Sequence, residues 1–292
     1  MSKVSLVKTT DHEVGVKESI SPFIERLRKE TEKLSHIVIK VNFVTTELEL
    51  AMTPFEAVKS FIDTIQEFYT GEIIIAEEAT NGDTKAAFVK FGFSKLAHDN
   101  DQVKLLDIGD DKKIEIDLEY DDKILRLPFS RTIVEAPFLV SITRPKTHDT
   151  VVVTLGIKNV LVGAIKGRLT ERVKIHKGKD IHKILTSIAK HTYPDFVILD
   201  GVEGMEGDGP DCGTSIKPSW ALSSFDALSA DTLGAYLMGF DFDDIGYFNM
   251  IRDEGLGKAY PADDIEIIEE NPKDLRKQFK PHRTIKNQKK WR

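Results

Sequence analysis

Residues 36–76, HIVIKVNFVTTELELAMTPFEAVKSFIDTIQEFYTGEIIIA, contain two runs rich in Ile and Val on either side of a segment with helical periodicity. The runs His36–Val41 and Glu72–Ala76 have the β-branched composition of buried strands. Between them, Thr53 is the predicted N-cap of a helix whose first residue is Pro54. A strand, a helix and a strand at this spacing predict a right-handed crossover between parallel strands, which is the unit of an α/β fold.

The rest of the chain continues this alternation with one departure. Helical periodicity marks residues 16–35, 86–96, 180–191, 227–238 and 242–253, and strand composition marks residues 3–8, 103–107, 138–143, 151–154, 196–199 and 265–268. In the departure, Ile114, Ile116 and Leu118 alternate with polar residues, which predicts an antiparallel hairpin. We therefore predict an α/β fold: a largely parallel, doubly wound sheet with a β-hairpin insertion, formed by residues 1–270 as a single domain or as two intimate lobes.

Composition indicates a globular protein without membrane spans. The chain has 292 residues, of which 40% are hydrophobic and 30% charged. Its longest apolar runs fall far short of the roughly 20 residues that cross a bilayer. The first residues, Met1–Leu6, lack the apolar core of a secretory signal. We therefore expect a cytoplasmic protein with no membrane partner.

Charge is distributed unevenly along the chain. Residues 271–292 form a basic tail with nine Lys or Arg and one Asp, and the other 32 basic and 47 acidic residues leave the body at −15. The tail carries Phe279 and Trp291 among its cations, and residues 166–183 are also basic. This pattern allows nucleic-acid binding by charge and stacking. The other interpretation is a solvated or partner-docking end.

Basic and polar side chains follow the predicted strand at residues 138–143. Lys146 supplies a positive charge there, and His148 can carry a proton or bind a metal near neutral pH. Lys158 and Asn159 lie in an apolar, glycine-punctuated stretch, so they are predicted to hold a phosphate or carboxylate. In the alternative, Asn159 caps a helix and Lys158 lies in solvent.

Acidic residues follow the predicted strand at residues 196–199. Asp200 is placed as a strand-end carboxylate, and the glycine-rich loop beyond it contains Glu206 and Asp208. This loop lacks the lysine of a phosphate-binding P-loop, so a divalent cation or a hydroxylated substrate suits it better than a bare phosphate.

Three further positions complete the predicted substrate-binding residues. Gly207 and Gly209 would let the backbone of the acidic loop approach a ligand closely. Asp231 is expected inside a helix that Ser224 or Asp226 caps. In the basic segment at residues 166–183, His176 and His182 either bind an anionic group or belong to a surface loop.

Together these segments resemble the family known as domain of unknown function 362. The matching motifs are Lys40-Val41-Asn42-Phe43, Thr53-Pro54, Phe91-Gly92-Phe93, Pro145-Lys146-Thr147-His148, Lys158-Asn159, His176, Asp200-Gly201, Met205-Glu206-Gly207-Asp208-Gly209-Pro210 and Ser224 through Asp231. Many members carry extra cysteine clusters and are described as iron–sulfur proteins. This chain has only Cys212, so we expect no iron–sulfur cluster.

These observations support one leading hypothesis. An enzyme-like α/β protein binds a small anionic or polar metabolite between the Lys146/His148 rim and the acidic glycine loop, with Lys158 as anion anchor. His148 is the predicted acid–base group, and Asp200 or Glu206 is its partner or a ligand of a divalent metal. Two alternatives stay open: a nucleic-acid or ribonucleoprotein factor that uses residues 271–292, and a non-catalytic relative of iron–sulfur proteins.

Overall fold

A computed structural model describes residues 2–168, 170–177 and 180–291 of the chain. Its strands are β1 (Ser2–Lys8), β2 (His36–Lys40), β3 (Glu72–Glu77), β4 (Val103–Asp107), β5 (Lys113–Tyr120), β6 (Lys123–Ser130), β7 (Leu139–Thr143), β8 (Lys146–His148), β9 (Val152–Thr154), β10 (Phe196–Gly201), β11 (Gly204–Glu206), β12 (Thr214–Ile216), β13 (Trp220–Ser224) and β14 (Ile265–Glu269). Its α-helices are α1 (His12–Ile20), α2 (Ile24–Thr31), α3 (Phe55–Ile65), α4 (Thr84–Lys90), α5 (Phe93–Asp99), α6 (Arg131–Val134), α7 (Gly156–Gly163), α8 (Glu171–Lys177), α9 (Ile181–Ala189), α10 (Ala227–Leu237), α11 (Gly246–Asp253), α12 (Pro272–Leu275) and α13 (Ile285–Gln288).

The main sheet has eight strands in the order β14-β1-β13-β10-β7-β2-β3-β4. Among these described strands, β13 alone runs antiparallel to both of its neighbours, and the other neighbouring pairs are parallel. The predicted parallel sheet of an α/β fold is thus confirmed. The reversal of β13 was not predicted.

Helices cover both faces of this sheet. Along β2, Ile37 and Ile39 enter one core while Val38 enters the other, as the alternation of a strand requires. Phe61 of α3 packs into the first core and Leu233 of α10 into the second. Because both faces of the sheet are buried, the sequences of its parallel strands are continuous apolar runs.

The predicted hairpin is also confirmed. Strands β5 and β6 pair antiparallel from Lys113 opposite Ser130 to Tyr120 opposite Lys123. Asp121 in the turn has a φ of 49°, a left-handed conformation that Asp tolerates better than most residues. Ile114, Ile116 and Leu118 therefore lie on the strand face that packs on the core, and the polar residues between them face solvent.

The N-cap prediction at Thr53 is wrong. The helix α3 begins at Phe55, and Pro54 occupies the cap position. The Thr53 hydroxyl instead donates a 2.8 Å hydrogen bond to the carbonyl oxygen of Ile142 and accepts one of 2.8 Å from the Asn42 amide. Since these partners lie outside the helix, Thr53 fastens the segment after β2 to the end of β7. At α10 the predicted cap is present: Asp226 accepts a 3.0 Å hydrogen bond from the Ser229 amide.

A second sheet of four short strands, in the order β12-β11-β8-β9, was not predicted. Lys146–His148, expected only to follow the predicted strand at residues 138–143, is itself strand β8 and pairs antiparallel with β9 and parallel with β11. Strands of three residues are too short to show a two-residue period in the sequence.

The basic C-terminal segment, residues 271–291 of the described chain, packs against this second sheet and α10. Phe279 is fully buried, and its amide donates a 2.9 Å hydrogen bond to the Met238 carbonyl. The Gly207 amide donates a 2.7 Å hydrogen bond to the Lys280 carbonyl. The segment therefore covers the acidic glycine loop.

No helix in the described part of the chain has the length and apolar character needed to span a membrane.

Candidate functional site

A cavity of about 410 Å³ opens at the carboxyl ends of β2 and β3. The last residues of these strands, Lys40 and Glu77, line it. The cavity also receives His148 from the end of β8 and Thr154 from the end of β9. The crevice beyond the carboxyl ends of parallel strands is the usual ligand site of open α/β sheets. Further lining residues come from α7, α8 and the loops: Asn42, Phe43, Val44, Thr80, Asn81, Asp149, Thr150, Lys158, Asn159, Val162, Gly163, Arg168, Arg172, Val173, His176, Pro210 and Asp211.

Lys158 is a buried cation without a hydrogen-bond partner among the described residues. It lies in the first turn of α7 with 6% of its surface exposed, and no other described residue accepts a hydrogen bond from its ammonium group. Burial lowers the pKa of Lys158 to about 8, because the charged form loses its hydration; the charge of Asp149 opposes this shift. A negatively charged ligand in the cavity would supply the missing partner.

Thr154 lines the cavity and contains a second unsatisfied group. Its side chain is 3% exposed, and its hydroxyl oxygen has no hydrogen-bond partner within residues 2–168, 170–177 and 180–291. Leaving a buried hydroxyl unpaired costs about 1–3 kcal/mol, so such groups in a cavity wall commonly meet a ligand or an ordered water.

His148 is held as a neutral imidazole with its proton on Nε2. The Thr150 amide, which can only donate, makes a 3.0 Å hydrogen bond to His148 Nδ1. Burial and then the charge of Lys158 lower the pKa of His148 to about 3, and Asp149 Oδ1, 3.0 Å from the same nitrogen, opposes this shift without reversing it. The neutral ring therefore carries an N–H donor on Nε2.

His176 is held in the opposite tautomer. Its Nδ1 lies 2.7 Å from the carbonyl oxygen of Arg172, which can only accept, so Nδ1 carries the proton and Nε2 a lone pair. Burial and the charge of Lys158 lower the pKa of His176 to about 4. The rings of His148 and His176 are 5.7 Å apart between centroids. One small ligand can therefore contact both rings.

A buried polar network supports the cavity floor. The Lys40 ammonium group donates 2.5 Å hydrogen bonds to Glu77 Oε2 and the Val41 carbonyl, and one of 3.2 Å to Asn159 Oδ1. The Asn159 amide nitrogen donates in turn to the Lys40 carbonyl at 2.9 Å and to Ser141 Oγ at 3.1 Å. These bonds fix Asn159 and neutralise Glu77, so this network leaves the charge of Lys158 free to meet a ligand.

Of the predicted site residues, the structure brings His148, Lys158 and Asn159 together in the cavity wall. The alternative in which Asn159 caps a helix and Lys158 is solvated is wrong, because both lie within α7 and are buried. Lys146 lies one layer behind the wall. It is fully buried, and its ammonium group donates to Asn42 Oδ1 and, at 2.8 Å, to the Ala51 carbonyl.

Asp200 lies elsewhere, so it is not the partner of His148. Its Oδ2 is 2.6 Å from Nδ1 of His12, and its Oδ1 accepts a hydrogen bond from the Val202 amide. Burial lowers the pKa of His12, but the hydrogen bond and charge of Asp200 outweigh that and raise it above 6.5.

Glu206 and Asp208 of the acidic glycine loop face the C-terminal segment, whereas Pro210 and Asp211 of the same loop line the cavity. Glu206 Oε2 accepts a 2.8 Å hydrogen bond from the Lys280 amide, and Asp208 lies 3.4 Å from Arg283. In the described chain no three His, Cys, Asp or Glu side chains are grouped to hold a metal ion. The prediction that Glu206 and Asp208 bind a metal is therefore corrected. These carboxylates bind the C-terminal segment that covers them.

The predicted glycines and Asp231 also have packing roles. A Cβ atom at Gly209 would lie 2.4 Å from the Thr147 carbonyl oxygen, and Gly207 has a φ of 77° that glycine adopts without strain. Asp231 accepts hydrogen bonds of 2.9 and 2.8 Å from the amides of Gly156 and Ile157, where α7 begins. Asp231 thus positions α7, which carries Lys158.

Thr154 and Arg172 were missed by the sequence interpretation. Arg172 donates to the carbonyls of Ile165, Glu78 and Gly163 at 2.7–3.0 Å and to the Glu78 carboxylate at 3.0 Å, so it anchors α8 beside the cavity. Neither residue belongs to a recognisable motif. A hydroxyl at the end of a short strand becomes informative only after the strand is placed.

Gln288 of the C-terminal segment braces the β8–β9 hairpin. Its Nε2 donates a 2.8 Å hydrogen bond to the His148 carbonyl, and its Oε1 accepts one from the Val152 amide. We expect Gln288→Leu to lower the free energy of unfolding by about 1–3 kcal/mol, because it leaves two buried backbone groups unpaired. Urea denaturation would measure this, with exposed Asn287→Leu as the matched control. Equal losses in the two variants would contradict the bracing role.

Comparisons with known sequences give a family and a partial relative. The family described as "Domain of unknown function (DUF362)" matches residues 37–236. A thylakoid-associated protein of Synechocystis sp. is 27% identical over 157 residues, which cover 53% of this chain and 48% of that protein. The chain thus spans about half the length of this curated relative.

Solved structures give a likeness of fold. The lactate racemase apoprotein from Thermoanaerobacterium thermosaccharolyticum superposes with a TM-score of 0.52 and 14% identity, over 82% of this chain and 57% of that one. A protein from Thermotoga maritima gives a TM-score of 0.43 and 13% identity, over 66% of this chain and 50% of that one. The first of these supports a shared α/β architecture.

Proposed function

This chain belongs to the DUF362 family, and from that premise we propose that it is an enzyme that binds a small anionic metabolite in the cavity beside α7 and α8. The observation that carries the proposal is the set of unpartnered polar groups in one cavity wall. Within the described residues, the hydroxyl of Thr154 has no hydrogen-bond partner, and no residue accepts a hydrogen bond from the buried side chain of Lys158, which lines the same cavity. The Nε2 atoms of His148 and His176 are turned away from the bonds that fix their rings.

The charge balance of the wall favours an anion. Glu77 is engaged by Lys40, whereas among the described residues Lys158 is stabilised by the partly exposed carboxylate of Asp149 and opposed by the charge of Arg172. An anionic group beside Lys158 would restore the interactions that burial removed from its ammonium group. Thr154 and the Nε2–H of His148 add neutral donors, which anions accept.

The two histidines favour an enzyme over a simple binding protein. A neutral imidazole in a buried site can donate a hydrogen bond to a developing negative charge or take a proton from a substrate. Both rings are oriented by hydrogen bonds to backbone groups, so their reactive nitrogens are fixed before a ligand arrives.

Lys158→Met tests the anion site. We expect inorganic phosphate or phenylpyruvate to bind the unmodified protein, and the variant to bind at least 10-fold more weakly in isothermal titration. Because the pKa of Lys158 is about 8, the affinity of the unmodified protein should fall about 10-fold per pH unit above 8, as the ammonium group loses its proton.

Lys174→Met provides the control for this experiment. Lys174 lies on the neighbouring helix α8, but it is exposed and pairs with Glu171, so its loss should leave anion binding unchanged. If the unmodified protein binds neither anion, or if Lys158→Met binds both with unchanged affinity, the proposed function is wrong.

The alternative of a nucleic-acid factor has less support. Phe279, one of the aromatic residues expected to stack on bases, is fully buried, and Lys280 and Arg283 contact the acidic glycine loop through their backbone or side chains. Nucleic-acid binding by residues 271–292 stays a prediction from charge alone; the structure of Arg292 lies outside the described residues.

A further inference from the structure

The opposed tautomers of His148 and His176 place a hydrogen-bond donor and a proton acceptor side by side. His148 offers Nε2–H because its Nδ1 accepts from the Thr150 amide. His176 offers the Nε2 lone pair because its Nδ1–H donates to the Arg172 carbonyl. Both assignments follow from backbone groups whose donor or acceptor character is fixed. The 5.7 Å between the ring centroids lets two neighbouring atoms of one ligand contact one ring each.

We propose that His176 and His148 catalyse keto–enol proton transfer on a 2-oxo acid with an apolar side chain. His176 is the base that removes a proton from the carbon beside the keto group, and His148 holds the keto oxygen. This inference rests on the proposed function, since Lys158 and Thr154 hold the carboxylate of the same substrate.

The substrate class follows from the cavity lining. Lys158 and Thr154 are a cation and a hydroxyl on the β9–α7 segment, which suits a carboxylate. Phe43, Val44, Val162 and Val173 also line the cavity and suit an apolar side chain. A volume of about 410 Å³ falls in the range of small-molecule sites and accommodates an aromatic ring.

The step conserves atoms and electrons. The C3–H bond breaks, and its proton goes to His176 Nε2. The electron pair of that bond forms the C2–C3 double bond, while the π pair of the keto group moves to the keto oxygen. His148 Nε2–H donates a hydrogen bond to this oxygen without losing its proton, so no imidazolate is needed. The proton then returns from His176 to C3, or a solvent deuteron replaces it.

Deuterium incorporation measures this step directly. We expect the full chain in D2O to exchange the C3 protons of phenylpyruvate faster than buffer alone, as followed by loss of their proton NMR signal. His176→Gln should slow the enzyme-dependent exchange at least 100-fold, because it removes the base. His148→Phe should slow it by about 100-fold, because it removes the donor to the oxyanion.

A surface histidine and a binding measurement keep the test decisive. His191→Gln changes an exposed residue outside the cavity and should leave the exchange rate unchanged. Phenylpyruvate titration and thermal unfolding show whether each variant still folds and binds. The proton-transfer proposal is wrong if His176→Gln folds and binds phenylpyruvate but exchanges its C3 protons at the rate of the unmodified protein. It is also wrong if the unmodified protein binds phenylpyruvate without exchanging these protons faster than buffer. In both cases the anion site stands. If phenylpyruvate and phosphate both fail to bind, the proposed function also falls.

Discussion

Lys40→Met should lower the free energy of unfolding by about 3–5 kcal/mol, the largest loss we expect from a single side chain of the site. Lys40 is fully buried and is 2.5 Å from Glu77 Oε2, whose side chain is 3% exposed. Removing the ammonium group leaves the Glu77 carboxylate buried without its cation, which costs far more than the pair itself contributes. The pKa of Lys40 is lowered by burial, and the charge of Glu77 opposes this shift, as expected for an ion pair taken out of water.

The change should also disturb the site, since Lys40 fixes Asn159 in its wall. Urea denaturation would measure the loss. The double variant Lys40→Met, Glu77→Leu should recover most of it, because no buried charge is then left unpaired. Lys59→Met is the control: it breaks an exposed pair with Asp63 and should cost less than about 1 kcal/mol. A similar small cost for Lys40→Met would show that Glu77 finds another partner.

The second large effect is a loss of stability on acidification. His148, His176 and His182 have pKa values lowered to about 3, 4 and 4, in each case first by burial. Between pH 4 and 6.5 the unfolded chain therefore binds more protons at these positions than the folded protein. Their contribution to stability is complete above pH 6.5 and is lost as the pH falls toward 4. Asp231 acts in the opposite direction, because burial raises its pKa to about 8.

His182 isolates this effect, because burial rather than a neighbouring charge lowers its pKa and it lies outside the cavity. A shift from 6.5 to about 4 corresponds to roughly 3 kcal/mol. In His182→Gln the difference in unfolding free energy between pH 7 and pH 4.5 should therefore be smaller by roughly 2–3 kcal/mol than in the unmodified protein. Urea denaturation at the two pH values measures it. The exposed His191→Gln should keep the full difference, and the same behaviour in His182→Gln would show that His182 is protonated when folded.

The main sheet could be predicted from the sequence, because strands that are buried on both faces consist of apolar, β-branched runs. The runs at β2, β3, β7 and β10 are β-branched and separated by helical periodicity, and they form parallel neighbours. His148, Lys158 and Asn159 were found for a related reason: polar residues next to buried strands or inside an apolar helix need partners or a ligand.

The wrong predictions for Glu206 and Asp200 have one physical cause: the partners of these carboxylates lie in distant parts of the chain. Glu206 is satisfied by the amide of Lys280, and Asp200 by the ring of His12. An acidic loop in a sequence does not show whether a cation, a backbone amide or a histidine completes it. For His176 the sequence shows the residue but not its tautomer. The hydrogen bond to the Arg172 carbonyl is what shows which ring nitrogen carries the proton.

The hydrogen bond from Gln288 to the His148 carbonyl joins residues 140 positions apart. During synthesis on the ribosome, β8 and β9 emerge long before the residue that holds them together is translated. In a nascent chain the β8–β9 hairpin would therefore lack its brace until Gln288 has been translated.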